Sequence, residues 1–329
     1  MIKPAGIAWP LAAALVLGMF ASQSPAQSWP SRPIKLVVPF APGGTNDSLA
    51  RVLSALLPGP LGQPVLVENR TGAGGNIGTE YVAKQPADGY TVLIAASGHV
   101  INASFFDKLP YDPIKDFNGV SLLVNSQFVV TVSPASPART VKDLVALAQS
   151  RPNGLSYGSA GVGTPLHLAA EMLKHETKGN FVHIPYKGSG SVMPALFAGD
   201  IDFAVVSLTS ALPQIRGGKL RGLAIASKNR SSKLSEVPTV AEAISVPGFA
   251  LETWIGALVP AGTPASATQR LSKEINIILR DPQVGKEKLA GIGVDGVGST
   301  PEQFDEIMKA DLARFTKLVK EANLRVEKQ

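Results

Sequence analysis

Short apolar runs that alternate with longer amphipathic segments are the feature that most constrains this chain. The run Ile34–Val38 ends at Pro39 and is followed, after a glycine-rich turn, by apolar residues at helical spacing through Leu49–Leu57. Val65–Val67 and Thr91–Ala96 repeat this pattern. Continuous β-branched runs of this length are typical of strands that are buried on both faces of a parallel sheet. Their alternation with helices predicts an α/β fold with mainly parallel sheets.

A second block of the same kind follows Ser126. Its predicted strands are Phe128–Val132, Leu155–Gly158, Phe181–Ile184, Ile201–Val206 and Leu220–Ala226, and its predicted helices are Val141–Gln149, Pro165–His175 and Val192–Ala198. From about Phe249 the pattern predicts the strand Ile255–Val259 and then helices over 265–279 and 301–322, and we expect Phe249–Val259 to be the return crossing between the two blocks. At roughly 100–200 residues per domain, the 329 residues predict two domains.

The first 26 residues have the pattern of a secretory signal peptide. A positive start at Met1–Lys3 precedes the apolar stretch Ile7–Phe20, and Ser24-Pro25-Ala26 supplies small residues for cleavage near Ala26–Gln27. The alternative is a membrane anchor, but the stretch is shorter than the ~20 residues of a span and no stop-transfer charges follow. We therefore expect residues 1–26 to be removed and the mature chain to be periplasmic, with secretion to the medium as the alternative.

Charge and cysteine content exclude several classes of function. The net charge of +6 falls to +5 when Lys3 leaves with the signal peptide, and the basic residues are dispersed among acidic ones. Nucleic-acid binding needs a dense basic face, so we expect no nucleic-acid partner, although a mildly positive chain favours small anions. The absence of cysteine excludes disulfides, a thiol nucleophile, cysteine-bound metals and a lipid-modified N-terminal cysteine.

Glycine-rich loops join a predicted strand to a predicted helix at three places: Pro39–Asp47, Thr71–Gly78 and Gly158–Thr164. Free N–H groups and the helix dipole make such places suitable for anions, and glycine lets the backbone approach a ligand closely. Ligands of open α/β sheets bind beyond the carboxyl ends of the strands, where all three loops lie. A tight turn before a capped helix is the alternative for each loop taken alone.

Signatures of enzymes and nucleotide-binding proteins are missing. The glycines of Gly72–Gly78 are spaced as GxGxxxG, and the sequence contains no GxxxxGK[ST], GxSxG or HExxH motif. His167, Glu171 and His175 share one predicted helix face, which a polar stripe explains without a metal. We expect no catalytic residue, metal or cofactor, and we treat His99 and His167 as candidates for ligand contact.

These loops belong to an ordered set of segments that resembles a known family. The set is Trp29–Ile34, Pro39–Gly44 with Asp47, Gly72–Gly78, Ala87–Thr91, Tyr157–Gly161, Pro185–Gly188, Gly199–Asp202 and Val237–Thr239. In this order it resembles the substrate-binding receptors of tripartite tricarboxylate transporters, also called the Bug family. The resemblance covers essentially the whole mature chain.

The resemblance implies a two-lobed, clamshell-shaped periplasmic-binding-protein fold of type II. Residues 27–127 and 251–329 would form one lobe, and residues 128–250 would form the other. It also implies a small mono- or dicarboxylate ligand, held by backbone amides and water and delivered to an integral-membrane permease or a sensor by a monomeric receptor. Many members carry an acidic or amide residue where this chain has Ser207-Leu208. We therefore expect an acid without an amino group.

The expected ligand-binding residues lie in the loops described above and at the ends of neighbouring strands. They are Phe40, Gly43, Gly44, Asn46, Asp47, Gly74, Ser97, His99, Asn102, Ser159, Ala160, Gly161, Gly163, Thr164, Tyr186, Lys187 and Ser207. Two alternatives remain at this point. One is an exported hydrolase or isomerase that acts on a small carboxylate through His99 or His167, and the other is an interaction domain without a small ligand.

Overall fold

The computed structural model describes Met1, residues 29–106 and residues 108–321, so the predicted signal peptide lies outside the described residues apart from Met1. Ten strands form two five-stranded sheets, ordered β2-β1-β3-β10-β4 and β7-β6-β8-β5-β9. The strands are β1 Ile34–Val38, β2 Val65–Asn69, β3 Thr91–Ala96, β4 Phe117–Ser126, β5 Phe128–Val132, β6 Leu155–Ser159, β7 Phe181–Pro185, β8 Phe203–Ser207, β9 Arg221–Ile225 and β10 Thr253–Pro260.

Helices flank both sheets. They are α1 Thr45–Leu56, α2 Pro58–Leu61, α3 Asn76–Ala83, α4 Gly98–Phe105, α5 Val141–Ser150, α6 Pro165–Thr177, α7 Ser189–Ala198, α8 Leu208–Arg216, α9 Val240–Ile244, α10 Ala265–Arg280 and α11 Pro301–Glu321. Short helical turns over 282–292 connect α10 to the strand-like segment before α11. We call the first sheet with α1–α4, α10 and α11 the first lobe, and the second sheet with α5–α9 the second lobe.

One strand in each sheet runs against the others. In the first sheet β1 is parallel to β2 and β3, whereas β10 is antiparallel to β3 and β4. In the second sheet β6 is parallel to β7 and β8, whereas β5 is antiparallel to β8 and β9. Both sheets are therefore mainly parallel, and their helices cover strands that are buried on both faces, as the continuous apolar runs predict.

The two lobes are joined where the antiparallel strands β5 and β10 begin. Gln127 alone separates β4 from β5, so the chain passes from one sheet to the other within a single residue. The return segment runs beside it, because the Leu251 N–H donates to the Ala226 carbonyl at 2.8 Å and Thr253 pairs with Ser126. Two adjacent crossings of this kind allow the lobes to move against each other with little change inside either sheet.

The packing of α1 illustrates why the predicted elements form. Leu49, Leu53 and Leu57 recur every four residues and are fully buried. Burial of one such side chain contributes about 1.5–3 kcal/mol, which is enough to hold an amphipathic helix against the sheet. On the opposite side of the sheet, Phe304 of α11 packs over Gly256 of β10, where a Cβ atom would lie 2.0 Å from the phenyl ring.

Among the elements that the sequence did not predict are β4, α4 and α8. The apolar pattern of β4 is interrupted by Asn118-Gly119, so no strand was predicted between Ala96 and Phe128. Helix α4 begins within the segment that predicts a polar turn at 97–99, and α8 follows the polar end of β8 and contains Pro213. In all three places the tertiary surroundings outweigh the local pattern, since every residue of β4 except Asn118 and Asn125 is buried.

Candidate functional site

A cavity of about 50 Å³ lies between the two lobes. Its lining residues come from the first lobe, the second lobe and both crossing segments, and none of them is charged. They are Phe40, Gly44, Thr45, Asn46, Ala96, Ser126, Phe128, Ala160, Thr164, Pro165, Leu166, Ser189, Ser207, Thr253, Trp254 and Ile255. Any ligand charge must therefore be met by backbone dipoles and neutral side chains.

The cavity lies where parallel strands end and helices begin. β1 leads through the loop at 39–44 into α1, β7 leads into α7, and β8 passes directly into α8. Each helix therefore presents its first turn toward the space between the lobes. Partial positive charge collects at such first turns because their N–H groups have no partner within the helix.

The N-terminus of α1 is open to the cavity. Its N-cap is Gly44, which has no side chain to accept a hydrogen bond, and the first helical bond runs from Ser48 N–H to the Gly44 carbonyl at 2.9 Å. Within the described part of the chain, the N–H groups of Thr45, Asn46 and Asp47 have no hydrogen-bond partner. The Asn46 side chain donates to the Ile94 carbonyl at 3.0 Å, which fixes this first turn against β3.

Helix α7 provides a similar N-terminus from the second lobe. Its N-cap is Gly188 at φ +135°, again without a side-chain cap. Ser191 N–H donates to the Gly188 carbonyl, which leaves the N–H groups of Ser189 and Gly190 unpaired among the described residues. The two N-termini are adjacent, because a Cβ atom at Gly44 would lie 3.9 Å from the Ser189 Cβ.

The loop at 159–164 uses its amides internally. Gly161 N–H donates to Ser159 Oγ at 3.2 Å, Gly163 N–H to His167 Nδ1 at 3.3 Å, and Thr164 N–H to the Gly161 carbonyl at 3.3 Å. Thr164 then caps α6 by accepting from His167 N–H. The resemblance implies ligand contacts by backbone amides of this loop, whereas these three amides are occupied and the loop gives the cavity Ala160 and Thr164.

Asp47 holds the first loop in place. Its carboxylate accepts from Gly43 N–H at 3.0 Å, from Arg51 Nε at 2.9 Å and from Asn69 Nδ2 at 2.9 Å. Burial raises the pKa of Asp47, but the hydrogen bonds from Arg51, Gly43 and Asn69 outweigh burial, and the pKa lies below its ordinary value. The side chain is 3% exposed and does not line the cavity, so its charge is used within the first lobe.

His99 and His167 are buried beside the cavity rather than in it, and His183 is partly buried. His99 Nε2 lies 2.8 Å from the Pro113 carbonyl, and the ring packs against Phe117. His167 stacks on His183 with ring centroids 4.2 Å apart. Burial lowers the pKa of His99 to about 4, of His167 to about 3 and of His183 to about 4.

One of these histidines forms a serine–histidine pair that resembles a nucleophile with its base. Ser159 Oγ lies 2.7 Å from His183 Nε2. Ser159 is fully buried, does not line the cavity, and also accepts from Gly161 N–H. A nucleophile must reach its substrate, so this pair is a structural support for the loop.

The predicted site residues divide into two groups. Phe40, Gly44, Asn46, Ala160, Thr164 and Ser207 line the cavity, whereas Gly43, Asp47, Gly74, Ser97, His99, Asn102, Ser159, Gly161, Gly163, Tyr186 and Lys187 lie behind the lining or at the contact between the lobes. Among the lining residues that the prediction missed are Ser189, which begins α7, and the crossing residues Ser126 and Thr253–Ile255. Two features of the sequence could have indicated these residues: the return crossing expected at 249–259 and the glycine at 188 before α7.

Several predicted site residues from both groups lie where the lobes touch. Thr45 Oγ1 and Ser207 Oγ are 2.8 Å apart, and Ala41 N–H donates to the Lys187 carbonyl at 3.0 Å. A Cβ atom at Gly74 would lie 2.0 Å from the Val162 carbonyl oxygen. The lobes therefore meet through backbone and hydroxyl groups, and at Gly74 there is no room for a Cβ atom. Elsewhere, no helix of the described residues has the length and hydropathy of a bilayer span.

Two mainly parallel sheets, joined by adjacent crossings and enclosing a cavity at the helix N-termini, define a two-lobed solute-binding protein. Solved structures agree. The periplasmic binding protein BugD matches with a TM-score of 0.85 and 31% identity over 91% of this chain and 100% of that chain. An R. palustris protein solved with adipate matches with a TM-score of 0.86 and 35% identity over 91% of this chain and 100% of that chain.

Sequence comparison gives the family. The family model described as tripartite tricarboxylate transporter family receptor matches residues 49–324. A UPF0065 protein of Pseudomonas sp. strain P51, from the tcbD–tcbE intergenic region, is 39% identical over 315 residues, which cover 95% of this chain and 94% of the relative. The chain belongs to the tripartite tricarboxylate transporter receptor family, a family of periplasmic binding receptors. The predicted fold class and the family resemblance are confirmed.

Proposed function

We propose that this chain is a periplasmic receptor that binds one small carboxylate between its lobes and releases it unchanged to a membrane permease or a sensor. The observation that carries the proposal is the meeting of two uncapped helix N-termini, α1 and α7, one from each lobe. A carboxylate bound there would contact both lobes at once and so favour their closure. The adipate bound to the R. palustris relative is a ligand of this chemistry.

The unpaired amides suffice for useful affinity. Hydrogen bonds to a charged group contribute roughly 1.5–3 kcal/mol each, and micromolar binding needs about −8 kcal/mol. The N–H groups of Thr45, Asn46 and Ser189, three residues that line the cavity, would supply these donors without a buried arginine. Ordered water between the carboxylate and the hydroxyls of Ser126 and Ser189 would complete the contacts.

The cavity lining favours an acid without an amino group. A bound ammonium group needs a carboxylate or several acceptors, and no lining residue is charged. The nearest candidate, Asp47, already binds Arg51 and Asn69. Ser207, which stands where many relatives have an acid or amide, pairs with Thr45. Phe40, Phe128 and Trp254 provide an apolar wall for the carbon skeleton of the ligand.

We also propose the expected lobe boundaries and a periplasmic location for the mature chain. A signal peptide over 1–26 would direct export to the periplasm, residues 27–127 with 251–329 would form one lobe, and residues 128–250 would form the other. The receptor would act as a monomer without catalysis. A hydrolase or isomerase is the less favoured function, because His99 and His167 lie outside the cavity lining and burial lowers their pKa values, which makes them weak bases.

Substitution of Gly44 by Asp tests the anion site directly. Gly44 has an extended backbone at φ −81° and ψ 170°, and a Cβ atom there would make only ordinary van der Waals contacts, 3.9 Å from the Ala41 carbonyl oxygen and from the Ser189 Cβ. We therefore expect an Asp side chain at this position to cap α1. Its carboxylate would occupy the N–H groups that the ligand needs. We expect the affinity for plain mono- and dicarboxylates of three to six carbons, measured by isothermal titration, to fall at least 100-fold, while the melting temperature stays the same or rises.

Two control variants separate the anion site from general charge effects. Gly44→Ala adds only a Cβ atom and should bind nearly as the wild type does. Gly59→Asp introduces the same charge at an open surface position of α2 and should also bind normally. Unchanged affinity in Gly44→Asp would overturn the proposed site. Tighter binding of aspartate or glutamate than of every plain acid would overturn the ligand class, and turnover of a bound acid would favour the enzyme.

A further inference from the structure

We propose that Lys233 is a positioning residue that holds the two lobes closed from outside the ligand cavity. Lys233 lies in the loop after β9 in the second lobe, and its ammonium group reaches the turn at 290–295 in the first lobe. Lys233 is not among the residues that line the cavity. Its role would be to set how much of the protein is closed before any ligand binds.

The contact has two parts of unequal strength. Lys233 Nζ donates to the Gly293 carbonyl at 2.9 Å and lies 3.0 Å from Asp295 Oδ2. The Lys233 side chain is 24% exposed, whereas Asp295 is 86% exposed, so water screens the ion pair. Exposed ion pairs contribute little, but a charged donor on a partly buried carbonyl contributes more. The bond to Gly293 therefore dominates.

The carbonyl that Lys233 binds is held rigidly and close to the second lobe. Gly293 has φ +76° and closes the turn at 290–292, with its N–H donating to the Ala290 carbonyl. A Cβ atom at Gly293 would lie 3.1 Å from the Thr209 Cα, which is in the first turn of α8. The turn and α8 are thus in contact across the boundary between the lobes, and the hydrogen bond from Lys233 stabilises this contact.

The turn at 290–295, which Lys233 contacts, packs against the helix that reaches the ligand site. Leu289 and Val294 belong to the same buried apolar cluster as Leu49 and Leu53 of α1. Helix α1 carries the unpaired N–H groups at the cavity, and its Thr45 bonds to Ser207 of the second lobe. Lys233 and Thr45 therefore join the two lobes at parts of the first lobe that share one apolar cluster. Lys233 does so from outside the cavity, and Thr45 does so at its edge.

Distance measurements between the lobes test this role. The chain has no cysteine, so Ser266→Cys on α10 and Ala146→Cys on α5 place two spin labels at exposed positions, one in each lobe. In the ligand-free protein, Lys233→Met should lengthen the label distance in a larger fraction of molecules, and Lys233→Gln should have a smaller effect. Lys233→Arg, which keeps the charge and the donors, should restore the closed distance.

Ligand affinity provides a second measurement, and this part rests on the proposed function. Using the tightest plain carboxylate from the titration series, we expect Lys233→Met to weaken binding about tenfold and Asp295→Asn to change it less than twofold. Arg230→Met is the matched control, because Arg230 pairs with Glu242 inside the second lobe. Its binding and its label distances should equal those of the wild type.

The two measurements keep the outcomes separate. If no carboxylate binds the wild type, the proposed function fails, while the ligand-free distances still decide the role of Lys233. Label distances in Lys233→Met that match the wild type would overturn the role of Lys233. An equal effect of Arg230→Met would overturn it as well, since the effect would then come from the loop and not from the contact between lobes.

Discussion

Histidines 99, 167 and 183 are each held neutral by burial, and this makes the stability of the protein depend on pH. Burial lowers the pKa values of these side chains to about 4, 3 and 4, below the ordinary 6.5. The unfolded chain therefore takes up protons below about pH 6.5 that the folded chain does not. The free energy of unfolding must fall as pH drops from 6.5 toward 4, by up to about 1.4 kcal/mol per pH unit for each histidine.

Substitution of His183 by Gln should reduce this slope. Glutamine keeps a polar partner for Ser159 but does not titrate, so urea unfolding between pH 6.5 and 4.5 should show a smaller loss of stability than in the wild type. His175→Gln is the control, because the His175 side chain is 39% exposed. Equal slopes in the wild type and in His183→Gln would show that His183 is not held neutral in the folded state.

Single residues also mark the limit of prediction from the sequence. Phe40, Gly44 and Thr164 could be assigned to the site because glycine-rich loops at strand ends are recognisable locally. Ser189 and Trp254 could not, because they reach the cavity only through the approach of a second lobe and the crossing of a strand. The residue types of the loops indicate the kind of ligand, whereas tertiary contacts determine which residues line the cavity.

Among the elements, the short turn at 73–75 decides how closely the lobes approach. Gly74 has φ +64°, and its Cβ position lies 2.0 Å from the Val162 carbonyl oxygen of the second lobe. Because that oxygen belongs to the backbone, Gly74→Ala cannot be accommodated while the lobes are closed. We expect ligand affinity, measured by isothermal titration, to fall at least tenfold.

Gly62→Ala provides a matched control for Gly74→Ala. Gly62 has nearly the same backbone conformation, at φ +70°, but no atom lies within 4 Å of its Cβ position. Both variants should lose roughly 1–2 kcal/mol of stability from the left-handed backbone. Only Gly74→Ala should lose binding, so equal affinities in the two variants would contradict a steric role for the turn.

Elements with a continuous apolar pattern were the predictable ones. β1, β3 and β5 have the predicted bounds, and the capping box of Thr140 with Asp143 begins α5 where expected. The start of α1 differs in an informative way. Capping residue types at 45–48 lie inside the helix, and Gly44 is the cap. Without a side-chain cap the first turn of α1 keeps N–H groups available for the proposed anion, which the local pattern of capping residues does not predict.

At the scale of the whole molecule, ligand binding should protect both lobes. A ligand that bridges α1 and α7 adds about 2.7 kcal/mol to the free energy of unfolding at 100 times its Kd. Hydrogen exchange should therefore slow at 45–47 in the first lobe and at 189–191 in the second, with little local change in α5. Protection in one lobe alone would contradict a ligand shared between them, and Gly44→Asp should show no protection at either place.

The order of strands in the first sheet also fixes the order in which the molecule can be completed. β10 lies between β3 and β4, yet it is encoded after the entire second lobe. As the chain emerges, β4 cannot join β3 in the sheet until β10 arrives, more than a hundred residues later, whereas β5 to β9 arrive as one uninterrupted stretch. The lobe that comes second in the chain is therefore the first that can finish folding, and the first lobe is assembled around it.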